Sequence, residues 1–177
     1  MRRSNILKLV YKMVYIGILI SMATVVHAVE RLLPLLPSPV PGAKLGLANI
    51  FTLVTLNLFG FIEGFYVAVL RTFLAALITG NFGITFILSL SGAVLSTIIM
   101  GLMVKFLKKY ISNMGISIVG AIFHNIGQLL AASLFLDSFF VFSYLPYLLL
   151  FAIPTGIFVG LCTNFILRVL NKNIQIN

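Results

Sequence analysis

Apolar residues run along this chain in long blocks, broken only by brief polar, glycine or proline stretches. Each block is about 17–22 residues, the length a helix needs to cross a bilayer core. The first runs from about 9 to 29 and stops at Glu30-Arg31. "RLLPLLPSPVPGAK" follows, holding four of the six prolines, a density that forbids regular helix and predicts a stiff loop beside the membrane. Residues 45–80 would make one helix of about 54 Å, far more than a bilayer core, so they must fold back once. "GFIEG" (60–64) is the natural turn. It divides a second span at about 45–61 from a third at about 64–79. "GNFG" (80–83) is the next turn signal, and three more spans follow at about 84–104, 115–136 and 143–167.

The expectation is an all-α, single-domain, polytopic membrane protein with six transmembrane helices. Composition agrees, since 61% of the 177 residues are hydrophobic and only 8% charged, too few to clothe a soluble surface. The basic start, apolar stretch and Val26-His27-Ala28 also fit a cleavable signal peptide, so residues 1–28 read as a span or as a leader.

The net charge of +9 is not a nucleic-acid footprint, because the cations gather at the ends of apolar blocks. Arg2, Arg3, Lys8 and Lys12, then Lys105, Lys108 and Lys109, then Arg168 and Lys172 fall on one side of a six-span topology. Arg31 and Lys44 fall on the other, and Arg71 lies within a span. The positive-inside rule then puts both termini in the cytoplasm.

This topology gives each polar residue a depth. Arg71 is about 12 Å from the cytoplasmic end of the third span, near the midplane. His124 and Asn125 are near the middle of the fifth span, with Gln128 about 6 Å further out. Asn49 is one turn below the outer surface and Lys44 at the outer mouth. His124 and Gln128 share a helix face at i, i+4, and Asn125 neighbours Gln128 at i, i+3. A midplane arginine is costly unless it faces protein, water or a partner. The three acids offer none: Glu30 and Asp137 read as outer-interface residues, and Glu63 is two turns away. Arg71, His124 and Lys44 thus predict a cationic lining without matching carboxylates, suited to an anionic or strongly hydrogen-bonding ligand. The alternatives are that Arg71 pairs with Glu63 or snorkels, and that the polar trio only ties helices together. Asn57 and Asn164 read as such ties.

Small residues repeat at four-residue steps at Ala152, Gly156 and Gly160, and again at Gly17 and Ser21, letting helices approach closely within the chain or against a partner subunit. No metal or other cofactor is expected, because no second ligand is placed to join His124 and the lone cysteine, Cys162, is in an apolar run. Clustered carboxylates for a magnesium diphosphate and a phosphate-binding Gly-Lys-Ser/Thr loop are both lacking. The chain reads as no enzyme.

"PGAKLGLANI" (41–50) together with "FHNIGQL" (123–129) resembles a bacterial family called heptaprenyl diphosphate synthase component I, or the Gx transporter family. That family is similar to the substrate-binding S-components of energy-coupling factor transporters. The resemblance implies a multi-pass bundle in the bacterial cytoplasmic membrane that captures a vitamin-like or quinone- or isoprenoid-precursor ligand from outside. It implies a transmembrane T-component and two cytoplasmic ATPases as partners, with Gly17 and Ser21 contacting the T-component and residues 31–44 helping close the site. The synthase name implies instead a prenyl diphosphate synthase partner. On the transporter reading, the depth alignment makes Lys44, Asn49, Arg71, His124, Asn125 and Gln128 the expected ligand set.

Overall fold

The computed structural model describes residues 2–32 and 45–173, and side chains at 6–30, 45–170 and 172. Six α-helices follow one another: α1 (Arg2–Leu32), α2 (Asn49–Leu58), α3 (Phe61–Thr79), α4 (Ile84–Phe106), α5 (Asn113–Leu136) and α6 (Leu145–Asn173). A 3-10 turn, Phe139–Tyr144, leads into α6. Five of the helices are long and apolar enough to cross a membrane. The chain is thus an all-helical, multi-pass membrane bundle.

The turns obey their local chemistry. Gly60 has φ 101° and its N–H reaches back to the Thr55 carbonyl, closing α2. Gly80 has φ 62°, and Asn81 N–H returns to Ala76 across the end of α3. Both are bonds that capture the last carbonyls of a helix. The Ser112 hydroxyl accepts from the Gly115 N–H at the start of α5.

α2 departs from expectation. The sequence predicts a full second span at about 45–61, yet the helix has only 10 residues, about 15 Å, half a bilayer core. Residues 45–48 instead form a turn in which Asn49 N–H bonds to the Gly46 carbonyl and Ile50 N–H to that of Leu47. An apolar run records burial but not whether the backbone is helical. The reversal into α3 is likewise confined to Phe59–Gly60, and Phe61 to Gly64 are already helical.

α2 is enclosed by its neighbours, and all eight residues from Asn49 to Leu56 are buried. On one flank Ile50, Phe51 and Val54 pack with Leu19 and Ala23 of α1, Val67 of α3 and Val159 of α6. On the other, Leu53 and Leu56 pack with Met100 of α4 and Ile116 of α5. α5 packs most extensively on α4 and α6. The glycines explain how closely. A Cβ on Gly127 would come 2.8 Å from the Ser91 carbonyl oxygen, and one on Gly156 or Gly160 would collide with α5 backbone at Ile118 or Met114. The Ala152–Gly156–Gly160 stripe therefore serves packing inside the chain.

Both helical termini lie at one end of the bundle. There Lys12 of α1 pairs with Glu63 of α3, which removes Glu63 as the partner of Arg71. Asn113 donates to Asn164 at 2.8 Å, tying α5 to α6. Asn57 donates back to the Leu53 carbonyl at 2.8 Å. Asn164 is thus an interhelical tie, as expected, whereas the Asn57 bond stays within α2 and ties no second helix.

Candidate functional site

Arg71 is the eleventh residue of a 19-residue helix and is 1% exposed, a buried cation at mid-length. Its Nη2 donates to Oδ1 of Asn49 at 2.7 Å. Asn49 opens α2, so the shortness of that helix places a carboxamide at the depth of the arginine. The Nε–H of Arg71 is buried without a hydrogen-bond partner. An unmet donor of this kind costs on the order of 1–3 kcal/mol.

α5 supplies the opposite wall. Gln128 and His124, 0% and 2% exposed, meet through their Nε2 atoms at 3.0 Å. With the amide nitrogen donating, Nε2 of His124 is the acceptor and the ring proton is on Nδ1. Gly92 of α4 lets this pair fit, since a Cβ there would lie 2.8 Å from the His124 carbonyl and 3.0 Å from the Gln128 side chain.

The two halves meet under Gly46. This residue has φ +79°, and a Cβ on it would lie 3.1 Å from Nδ2 of Asn49 and 3.2 Å from Cδ2 of His124. Only a glycine both adopts that backbone and approaches both side chains so closely. The turn thus roofs the polar centre, and the roof is tethered. Glu30, at the end of α1, accepts the N–H of Gly46 at 2.6 Å and of Leu47 at 3.3 Å.

Glu30 corrects one expectation. It reads in the sequence as an outer-interface acid, but it is 6% exposed, and its charge acts on Arg71. The lining therefore includes a buried carboxylate, bonded to the turn that covers Asn49 and His124. His27, one turn earlier, is 2% exposed. Sequence reasoning missed both. The signal was present, because Leu19, Ala23, His27 and Glu30 form an i, i+4, i+8, i+11 stripe, and all four are buried.

Four of the expected ligand residues, Asn49, Arg71, His124 and Gln128, converge beneath Gly46. Asn125 does not join them. Its Nδ2 donates to the Leu148 carbonyl of α6 at 3.2 Å, so its side chain is occupied in clamping α5 to α6. Adjacent helix residues point about 100° apart, and the face next to His124 belongs to the neighbouring helix. Lys44 lies outside the described residues. Gly17 has open space around its Cα, and the exposed Ser21 hydroxyl bonds to the Gly17 carbonyl at 2.9 Å. Both belong to a face of α1 that also exposes Met13, Val14, Ile18 and Met22. A groove of about 420 Å³ between α4 and α5 and one of about 240 Å³ between α1 and α6 are lined by other residues, largely apolar. Among the described residues no group of three His, Cys, Asp or Glu side chains is placed to hold a metal ion.

A family model described as heptaprenyl diphosphate synthase component I matches residues 19–166, most of the chain. The chain belongs to the heptaprenyl diphosphate synthase component I family. The match spans Glu30, Gly46, Asn49, Arg71, His124 and Gln128, so the whole polar centre lies inside the family region, whereas Gly17 falls just before it. No curated protein and no solved structure matches the chain.

Proposed function

We propose that this protein is the ligand-binding subunit of a small-molecule importer in a bacterial cytoplasmic membrane, similar in kind to the S-components of energy-coupling factor transporters. It takes a polar ligand from outside and depends on a T-component and cytoplasmic ATPases for energy. The observation that carries the reading is the buried centre of Arg71, Asn49, His124 and Gln128, drawn from three helices and covered by one tethered turn. Polar groups at this depth are costly, and a bundle held only by packing has no use for an arginine donor left unmet. A ligand reaches the centre when the Gly46–Leu47 turn lifts. His124 offers a ring nitrogen, Gln128 and Asn49 offer amide groups, and Arg71 offers charge. Both termini face the cytoplasm in this arrangement, with the Lys-rich end inward.

The family name favours a second reading, a non-catalytic membrane component that assists a prenyl diphosphate synthase. The acids support the non-catalytic part. Glu30 is engaged with the Gly46 turn and Glu63 with Lys12, so neither joins a carboxylate cluster that would hold a magnesium diphosphate. Two measurements separate the readings and test both. Native mass spectrometry of gently purified protein reports any retained small molecule, and the Arg71→Ala/His124→Ala double variant loses it while remaining folded in the membrane. Co-purification of ATPases and a second membrane subunit supports the importer; a soluble prenyl diphosphate synthase alone supports the second reading. Retention unchanged in the double variant removes the site from both.

A further inference from the structure

Four of the six buried threonines among the described residues share one habit. The hydroxyls of Thr24, Thr55, Thr72 and Thr97 each donate to the carbonyl four residues earlier, at 2.7–2.8 Å. That is how a threonine satisfies itself inside a helix when nothing else needs it. Thr52 breaks the habit. It is 0% exposed, and its hydroxyl has no hydrogen-bond partner.

Its position is informative. On α2, Asn49, Thr52 and Leu56 fall at i, i+3 and i+7, one stripe of the helix. Both ends of the stripe touch α3. Leu56 lies against Gly64, where a Cβ would strike its side chain, and Asn49 receives the Arg71 guanidinium. Thr52 is between them on the α3-facing stripe, one turn from the residue that holds Arg71. Arg71 in turn keeps its Nε–H unmet. Two unmet buried polar groups thus sit on α2 and α3, the two helices that the Arg71–Asn49 contact joins.

We propose that the Thr52 hydroxyl and the Nε–H of Arg71 form a two-point anchor for a hydrogen-bond-accepting oxygen of the bound ligand, a carbonyl or a carboxylate. This deepens the ligand-binding reading and rests on it. Arg71 Nε can only donate, and a hydroxyl donates freely, so the pair selects an acceptor. The Asn49 contact fixes the guanidinium by its other end, which aims Nε without a rotamer search. Thr163 of α6, also 0% exposed and unmet, lies next to Asn164 at the Lys-rich end and provides an internal comparison.

The test uses full-length protein purified from its own membranes, with the solvent extract of the wild-type preparation as the probe. The extract is titrated back onto stripped wild type, Thr52→Val, Thr52→Ser and Thr163→Val, with occupancy read by native mass spectrometry. Valine keeps the shape of threonine and deletes the hydroxyl. Thr52→Val is expected to weaken retention by about tenfold or more, the effect of a buried donor lost to its acceptor. Thr52→Ser and Thr163→Val are expected to match wild type. Methanol esterification of the extract then separates a carboxylate from a carbonyl as the source of the oxygen. Equal retention by Thr52→Val and wild type overturns the anchor while leaving the ligand-binding reading intact. A retained molecule with neither a carbonyl nor a carboxylate overturns it too, and a wild type that retains nothing overturns both.

Discussion

Arg71 and Asn49 are joined at 2.7 Å across α3 and α2, and the contact places a guanidinium at the first turn of a helix with no acidic residue there. Each partner is buried, so neither can turn to water when the other is removed. Asn49→Leu leaves a charged donor without its acceptor, whereas Arg71→Met leaves only a neutral acceptor unmet. The first is expected to destabilise the bundle more, by about 1.5–3 kcal/mol. A double-mutant cycle on purified protein, read by detergent-titrated unfolding, should return a coupling of about 1.5–3 kcal/mol. Strict additivity would show that the bond contributes nothing.

The roof over the centre is held by one carboxylate. Glu30→Gln keeps the shape and an acceptor oxygen but removes the charge that strengthens the bonds to Gly46 and Leu47. Hydrogen exchange at those two amides is expected to accelerate about tenfold, equivalent to roughly 1.4 kcal/mol, with α4 and α5 unchanged. Gly46→Ala acts on the same turn by strain. Its φ of +79° disfavours any Cβ by about 1–2 kcal/mol, and the new methyl presses on Asn49 and His124. Exchange at 46 and 47 that stays slow in both variants would show the turn to be fixed by something else.

Glycines that look alike in the sequence should differ sharply in the folded bundle. Gly156→Val drives a side chain into the backbone of Ile118 and is expected to unfold the protein or lower its melting temperature severely. Gly17→Ala meets nothing within 4 Å and removes glycine from a helix interior, so it should be neutral or stabilising by up to about 1 kcal/mol. Melting curves of the isolated protein decide this. A bulky Gly17→Leu variant that stays folded yet loses co-purifying subunits would locate their docking face on α1.

Most of the fold was legible because the relevant physics is one-dimensional. Bilayer crossing demands length and hydrophobicity, and both can be counted along the chain. Relative height was legible only in part: rise per residue set Arg71 and His124 both at mid-span, whereas Asn49, expected near the outer surface, bonds to Arg71. The i, i+4 rule correctly paired His124 with Gln128. Direction was harder. Asn125 shares the depth of the site but points at α6, and no single-helix periodicity tells which neighbour a face will meet. Glu30 was misplaced for a related reason, because a charge at the end of an apolar block reads as an interface residue until a turn folds back over it. The shortness of α2 was hidden because a buried turn and a buried helix require the same apolar residues.

That shortness has a mechanical consequence. Beneath Asn49 the column is filled by Leu53 and Leu56 with Met100 and Ile116, all nearly sealed from solvent. A solute resting on Arg71 therefore stands on a greasy plug and meets a dead end. On the importer reading, carrying a bound solute to the far side then requires force from outside this chain, since no path runs along the axis of the bundle through that plug.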